Sequence, residues 1–179
     1  MGERTDAARA GAGMVTGPTG ADAALPGQAA SLLGSAVLER PTAFVRATGL
    51  VFDEIGPTRV TGHLDLGPEH HTPWGIVHGG VYASAVETAA SVGATAAVAG
   101  DGRVAVGLTN TTHFLHAMRE GRVEVEALAL YQGRTHQLWR VSISDASGRL
   151  VAHGELRVQN VPGDPAPANL PDVPGVAAG

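Results

Sequence analysis

A chain of 179 residues, 44% of them apolar and 16% charged, suits one domain with a sizeable core plus some excess. Aromatics are only 4%, so Val, Leu and Ala must fill that core. The net charge of −5, with all twelve basic residues arginine, argues against nonspecific wrapping of nucleic acid and leaves guanidinium forks for local phosphate contacts. The absence of cysteine excludes disulfides, thiolate nucleophiles and cysteine-held metals.

Residues 1–26 are rich in Gly, Ala, Thr and Asp without periodicity and are expected to be a disordered tail. They hold no apolar signal-peptide core, and Asp6 stands where a myristoylation motif has Ser or Thr, so a soluble cytoplasmic protein is expected. The folded body is expected over 27–160. GQAASLLGSAVLER (27–40) predicts a short helix stopped by Pro41. AFVRATGLVFDEIG (43–56) and TRVTGHLDLG (58–67) predict two strands joined by a Gly56-Pro57 turn. His70-His71 then falls in what reads as an exposed loop containing Pro73 and Gly75.

A long alanine-rich helix is expected over Gly80–Ala97. Ser84, Glu87, Thr88, Ser91 and Thr95 interrupt it, which marks a buried helix rather than a membrane span. Four strand-like segments follow at 103–114, 122–132, 135–145 and 149–160. Trp139, Val141 and Ile143 alternate there with Arg140, Ser142 and Ser144. REG (119–121) and DASG (145–148) predict antiparallel hairpins. The stretch from Asn160 has five prolines in twenty residues, so 161–179 is expected to be a flexible tail. Two strands, one helix apolar on nearly every side, then four strands imply an α+β architecture, with an antiparallel sheet curling around the helix.

His78-Gly79-Gly80 stands where loop meets helix. The first amides of a helix have no intrahelical acceptor, and the helix dipole adds partial positive charge there. Such amides hold a phosphate, or polarise a carbonyl that becomes an oxyanion in acyl transfer. For the three residues alone, a helix entry in which glycine is sterically convenient is the simpler reading. Glu87 shifts that balance, because no other charged residue lies between Val81 and Ala99. A carboxylate among small apolar neighbours is costly unless it is paired or faces a cavity. Ser91, one turn on, shares its face and is placed to orient it or a water. Gly79 and Glu87 are eight residues apart, about 12 Å along one helix axis. If they act on one substrate, the glutamate comes from a second subunit whose helix runs antiparallel, and a two-fold dimer is expected.

PWGIVHGGVYASAVETAAS and REGRVEVEALALYQGRTHQLWRVSISDASGRLVAHG closely resemble the hotdog-fold acyl-CoA thioesterases, in their glutamate-using branch. That branch includes 4-hydroxybenzoyl-CoA and 1,4-dihydroxy-2-naphthoyl-CoA thioesterases. The resemblance spans about residues 42–160. It implies a hotdog fold of five to six strands and hydrolysis of an acyl-CoA with an aromatic or bulky acyl group. It also implies a Gly79 amide on the thioester carbonyl, His78 shaping the turn, Glu87 as nucleophile or general base, and Ser91 placing water or the carboxylate. The family's usual Asn or Gln six residues before the histidine is here Thr72, a departure that bears on rate or substrate preference. Gly80, His113, Gly133, Arg134 and Thr135 match positions near the coenzyme A site. A solvated hairpin charge is the competing reading of Arg134.

No cofactor is expected, coenzyme A being part of the substrate, and no nucleic acid or membrane partner. His113 and His116 would point to opposite faces of a strand, so no metal is expected. A homodimer, pairing further into a dimer of dimers, is implied. Two other classes compete. One is a hydratase or dehydratase on the same fold, whose paired Asp and His are not found. The other is a non-catalytic acyl-CoA-binding module, which would need no acid on the helix face. Pocket size depends on which of Phe44, Phe52, Trp74 and Tyr82 converge.

Overall fold

The computed structural model describes residues 43–163. The expected N-terminal tail, the expected helix at 27–40 and the chain from residue 164 lie outside the described residues. The elements are α1 (Ala43–Thr48), β1 (Val51–Ile55), β2 (Arg59–Leu66), α2 (Gly79–Val98), β3 (Arg103–Phe114), β4 (Gly121–Gln132), β5 (His136–Asp145) and β6 (Leu150–Pro162). Short 3-10 turns occupy Pro68–His70 and Ala99–Asp101.

The six strands form one antiparallel sheet in the order β1-β2-β4-β5-β6-β3. It packs on α2, a helix about 30 Å long, and this is the hotdog architecture. Alternation decides which side chains face the helix. Trp139, Val141 and Ile143 of β5 are fully buried, as are Val60, Leu64, Val123, Leu156 and Val158 from neighbouring strands. The opposing helix face carries Tyr82, Ala85, Val86, Ala89, Ala90, Gly93 and Ala94. Small residues let the helix lie close to the sheet. A Cβ on Gly93 would stand 2.5 Å from the Trp139 ring and 2.8 Å from Val60.

Four expectations change. The stretch 43–56 is not one strand, because Ala43–Thr48 coils into α1 and Gly49, at φ 73°, ends it before β1. The REG turn does not close a hairpin. β4 pairs with β2, and β3 lies at the far edge against β6, so the 115–120 link crosses between them. The last strand runs two residues beyond Asn160 to Pro162, since a proline at a strand end forfeits no interior ladder bond. The sheet curls around α2 as expected, all six strands touching it, and Val81, Ser84, Glu87, Thr88 and Ser91 are half-buried along one side of the helix. His70 is not an exposed loop residue but is buried, its ring beside Gly49 and its Nδ1 accepting the Gly67 amide.

Candidate active site

His78 is the N-cap of α2, with extended backbone at φ −69° and ψ 131°. Histidine is not a favoured cap, but here the imidazole takes the part usually played by Ser or Asp. Nδ1 accepts the Gly80 amide at 2.8 Å, and the His78 amide donates to His70 O at 2.8 Å. With Nδ1 an acceptor, a neutral His78 ring carries its proton on Nε2. The Gly79 amide, first in the helix, meets no acceptor among the described residues. The Phe114 ring lies against Gly79 at the end of β3, where an added Cβ would come within 2.8 Å of it. Tyr82 packs behind, its ring centroid 6.4 Å from that of Phe114. Burial pushes the Tyr82 phenol up to about 12, and its hydroxyl has no partner among the described residues.

Glu87 stands on the half-buried side of α2 and faces β3. Asn110 Nδ2 donates to Glu87 Oε2 at 3.0 Å and to Ala83 O at 3.0 Å. Thr112 Oγ1 donates to Asn110 Oδ1 at 2.7 Å, which orients the amide so that its NH2 faces the carboxylate. The pairing register of β3 shifts between Gly107 and Thr109, a bulge at the level of Glu87. A Cβ on Gly107 would collide with Glu87 Oε1, so glycine makes the space the carboxylate occupies.

Ser91 shares the half-buried side of α2 but makes no hydrogen bond to Glu87. The Thr72 hydroxyl is engaged within its own turn, donating to Ile76 O at 3.2 Å and accepting from the Trp74 amide at 3.3 Å. A cavity of about 520 Å³ opens beside His78 and Gly80, lined by Phe44, Thr48, His70, Val81 and Ser84. Of the aromatics weighed for a pocket, Phe44 alone lines it, while Trp74 is 80% exposed. Gly133, Arg134 and Thr135 form the β4–β5 turn near the C-terminal end of α2, where Gln137 Nε2 donates to Ala94 O at 2.9 Å. His113 is exposed opposite His153, and His116 lies past the end of β3, its Nδ1 2.8 Å from Leu150 O. No cluster of three or more metal-ligating side chains occurs among the described residues.

A family model described as the thioesterase superfamily matches residues 75–152, a span holding His78, Gly79, Glu87, Asn110 and the β4–β5 turn. A Mycobacterium tuberculosis protein named as an esterase is 40% identical over 119 residues, 65% of this chain and 85% of that one. Its solved structure superposes with a TM-score of 0.66 at 39% identity, covering 69% of this chain and all of that one. The 1,4-dihydroxy-2-naphthoyl-CoA thioesterase 2 of Arabidopsis thaliana is 32% identical over 144 residues, 77% of this chain and 88% of that one. The 1,4-dihydroxy-2-naphthoyl-CoA hydrolase of Escherichia coli is 30% identical over 105 residues, covering 59% and 76%. The chain belongs to the thioesterase superfamily. It is an acyl-thioester hydrolase on a hotdog fold, and no helix among the described residues is long and apolar enough to cross a membrane.

Two residues beside the carboxylate of this thioesterase were not singled out from sequence. Asn110 is hidden in a Thr-rich strand and carries no local signal of its role. Gly107 had a usable one, because an interior strand glycine marks a bulge or a close approach.

Proposed function

We propose that this thioesterase hydrolyses a coenzyme A thioester of an aromatic or otherwise bulky acyl group, in sites shared between two subunits. The relatives named for naphthoyl-CoA substrates favour that class. The cavity of about 520 Å³ beside His78 suits such an acyl group. In each site the Gly79 amide and the α2 dipole polarise the thioester carbonyl. Glu87 of the partner subunit either adds to the carbonyl carbon or takes a proton from the water that adds. The carbonyl oxygen gains charge against the Gly79 amide, the carbon–sulfur bond breaks, and coenzyme A leaves as a thiolate that takes its proton from water or from the protonated Glu87. Where Glu87 itself has added, water then cleaves the acyl–Glu87 anhydride and frees the acid and the carboxylate. Arg134 and Thr135 meet the phosphates of the coenzyme.

One observation carries the reading. Gly79 and Glu87 lie on one unbroken helix about 12 Å apart, too far to act on one carbonyl from the same chain. β3, the strand beside both, is an edge strand twelve residues long, with Val104, Val106 and Leu108 between 36% and 50% exposed. An edge this long is a template for pairing with another strand. Antiparallel pairing with its own copy would set two α2 helices side by side in opposite directions, bringing each Glu87 toward the other Gly79. The test is a hydrolysis screen across aliphatic and aromatic acyl-CoAs, with Glu87→Ala as control. Turnover of bulky or aromatic esters that vanishes in the variant supports the proposal. Unchanged activity in Glu87→Ala overturns it.

A further inference from the structure

The β4–β5 turn is held by more hydrogen bonds than a surface hairpin needs. Asn160, only 3% exposed, donates from Nδ2 to Gly133 O at 2.9 Å and to Arg134 O at 3.4 Å, and from its amide to Thr135 O at 2.9 Å. Arg103 Nη1 donates to Arg134 O and Nη2 to Asn160 O, both at 2.6 Å. Asn160 is itself fixed from below. Its Oδ1 accepts Gln137 Nε2 at 2.8 Å, while the fully buried Gln137 also binds Ala94 O of α2 and accepts from Trp139 Nε1.

Three successive carbonyls therefore point into the protein. In a trans peptide the carbonyl and the following N–H point in opposite directions, and no cis peptide occurs among the described residues. Turning the Gly133 and Arg134 carbonyls inward thus turns the Arg134 and Thr135 amides outward. Neither amide has an acceptor among the described residues, and the exposed Arg134 guanidinium makes no ion pair among them. Two adjacent outward amides beside an arginine are the donors an anion such as a phosphate requires. Arg134 thus gains directed company that a merely solvated hairpin charge lacks.

We propose that Asn160, aided by Arg103, is a positioning residue for coenzyme recognition, holding the β4–β5 turn with its amides and Arg134 presented to a phosphate. This deepens the functional reading and rests on it. It makes Asn160 and Arg103 determinants of affinity for the nucleotide end of the substrate, with no part in chemistry at Glu87.

The experiment compares the best acyl-CoA from the screen with the same acyl group on pantetheine, which lacks the nucleotide and its phosphates. Calorimetric titration with free coenzyme A, which needs no turnover, runs in parallel. The full-chain variants are Asn160→Leu, Asn160→Asp and Arg103→Met. Asn160→Asp keeps the acceptor for Gln137 and loses the donors to the turn, while Arg103→Met keeps the aliphatic stem should the buried substitutions fail to fold. The expected result is a KM for the CoA ester, and a Kd for coenzyme A, raised about tenfold or more, with kcat and the pantetheine ester changed less than about twofold. Equal losses on both esters, or an unchanged Kd in Arg103→Met, would overturn the assignment. Wild type that binds coenzyme A but cleaves neither ester contradicts the hydrolytic reading alone, and wild type that does not bind coenzyme A contradicts the turn as a phosphate site.

Discussion

One side-chain amide, that of Asn110, bridges the Glu87 carboxylate and the helix that carries it, donating to Glu87 Oε2 and to Ala83 O at 3.0 Å each. Ala83 is one turn before Glu87, so this amide fixes the carboxylate relative to its own helix axis. Thr112 fixes the amide, and the bulge at Gly107 makes room for the acid. Asn110→Leu should therefore lower kcat by about tenfold through loss of one hydrogen bond to a charged group. Gly107→Ala should lower it too, by pushing Glu87 aside. Both positions face α2 from β3, so unchanged circular dichroism and an unchanged oligomeric state are the controls that separate a misplaced carboxylate from a lost fold. Wild-type kcat in either variant would show that the carboxylate does not need this setting.

The Gly79 amide can be removed without disturbing its helix. Proline is favoured at the first helical position, where its missing N–H has no intrahelical partner. His78 at ψ 131° already has the extended backbone that a residue before proline adopts. The Phe114 ring, 57% exposed, must turn outward to admit the proline ring. Gly79→Pro should lower kcat by about a hundredfold to a thousandfold, the usual loss for one oxyanion donor, with helicity unchanged by circular dichroism. A variant with full turnover would remove the Gly79 amide from the mechanism.

Packing under α2 makes a separate prediction. A methyl at Gly93 has nowhere to go between Trp139 and Val60, both fully buried. Gly93→Ala should cost about 2 to 3 kcal/mol in denaturant unfolding. An unchanged midpoint would mean that the helix and sheet are not in the contact described.

The β5–β6 turn predicts a pH dependence. The Ser147 hydroxyl, reinforced by the Ser147 and Arg149 amides and the Arg149 guanidinium, lowers the Asp145 carboxyl from its usual 3.8 to about 2. A carboxylate depressed in the folded state contributes stability above its unfolded value, and that contribution is lost as pH falls through the folded value. Asp145→Asn should therefore melt below wild type at neutral pH. The gap should narrow as pH falls through 3.8, be mostly lost near pH 2 and close below it. A gap as wide at pH 2 as at neutral pH would trace the loss to something other than ionisation.

Much of this was readable from the chain because local pattern and tertiary role coincide. β4, β5 and β6 keep a two-residue alternation because one face of each lies on α2, and His78-Gly79-Gly80 announces the helix that carries Glu87. The readings failed where a distant element decides. Phe44 and Val45 look strand-forming, yet α1 is helical and Phe44 lines the cavity beside His78. The far-edge position of β3 follows from a crossover that no local residue encodes. Asn110 acquires its role, and His70 its burial, only when segments separated in sequence are brought together.

The sharing of each site between two subunits is the claim on which the functional account rests, and mixing two dead variants tests it directly. Glu87→Ala keeps Gly79, and Gly79→Pro keeps Glu87. Refolded together in equal amounts, half of the dimers should be mixed, each with one intact site and one lacking both groups. Activity should recover to about a quarter of wild type, while either variant alone stays inactive. No recovery in mixtures shown to contain mixed dimers would place Glu87 and Gly79 in the same subunit's site and contradict the account.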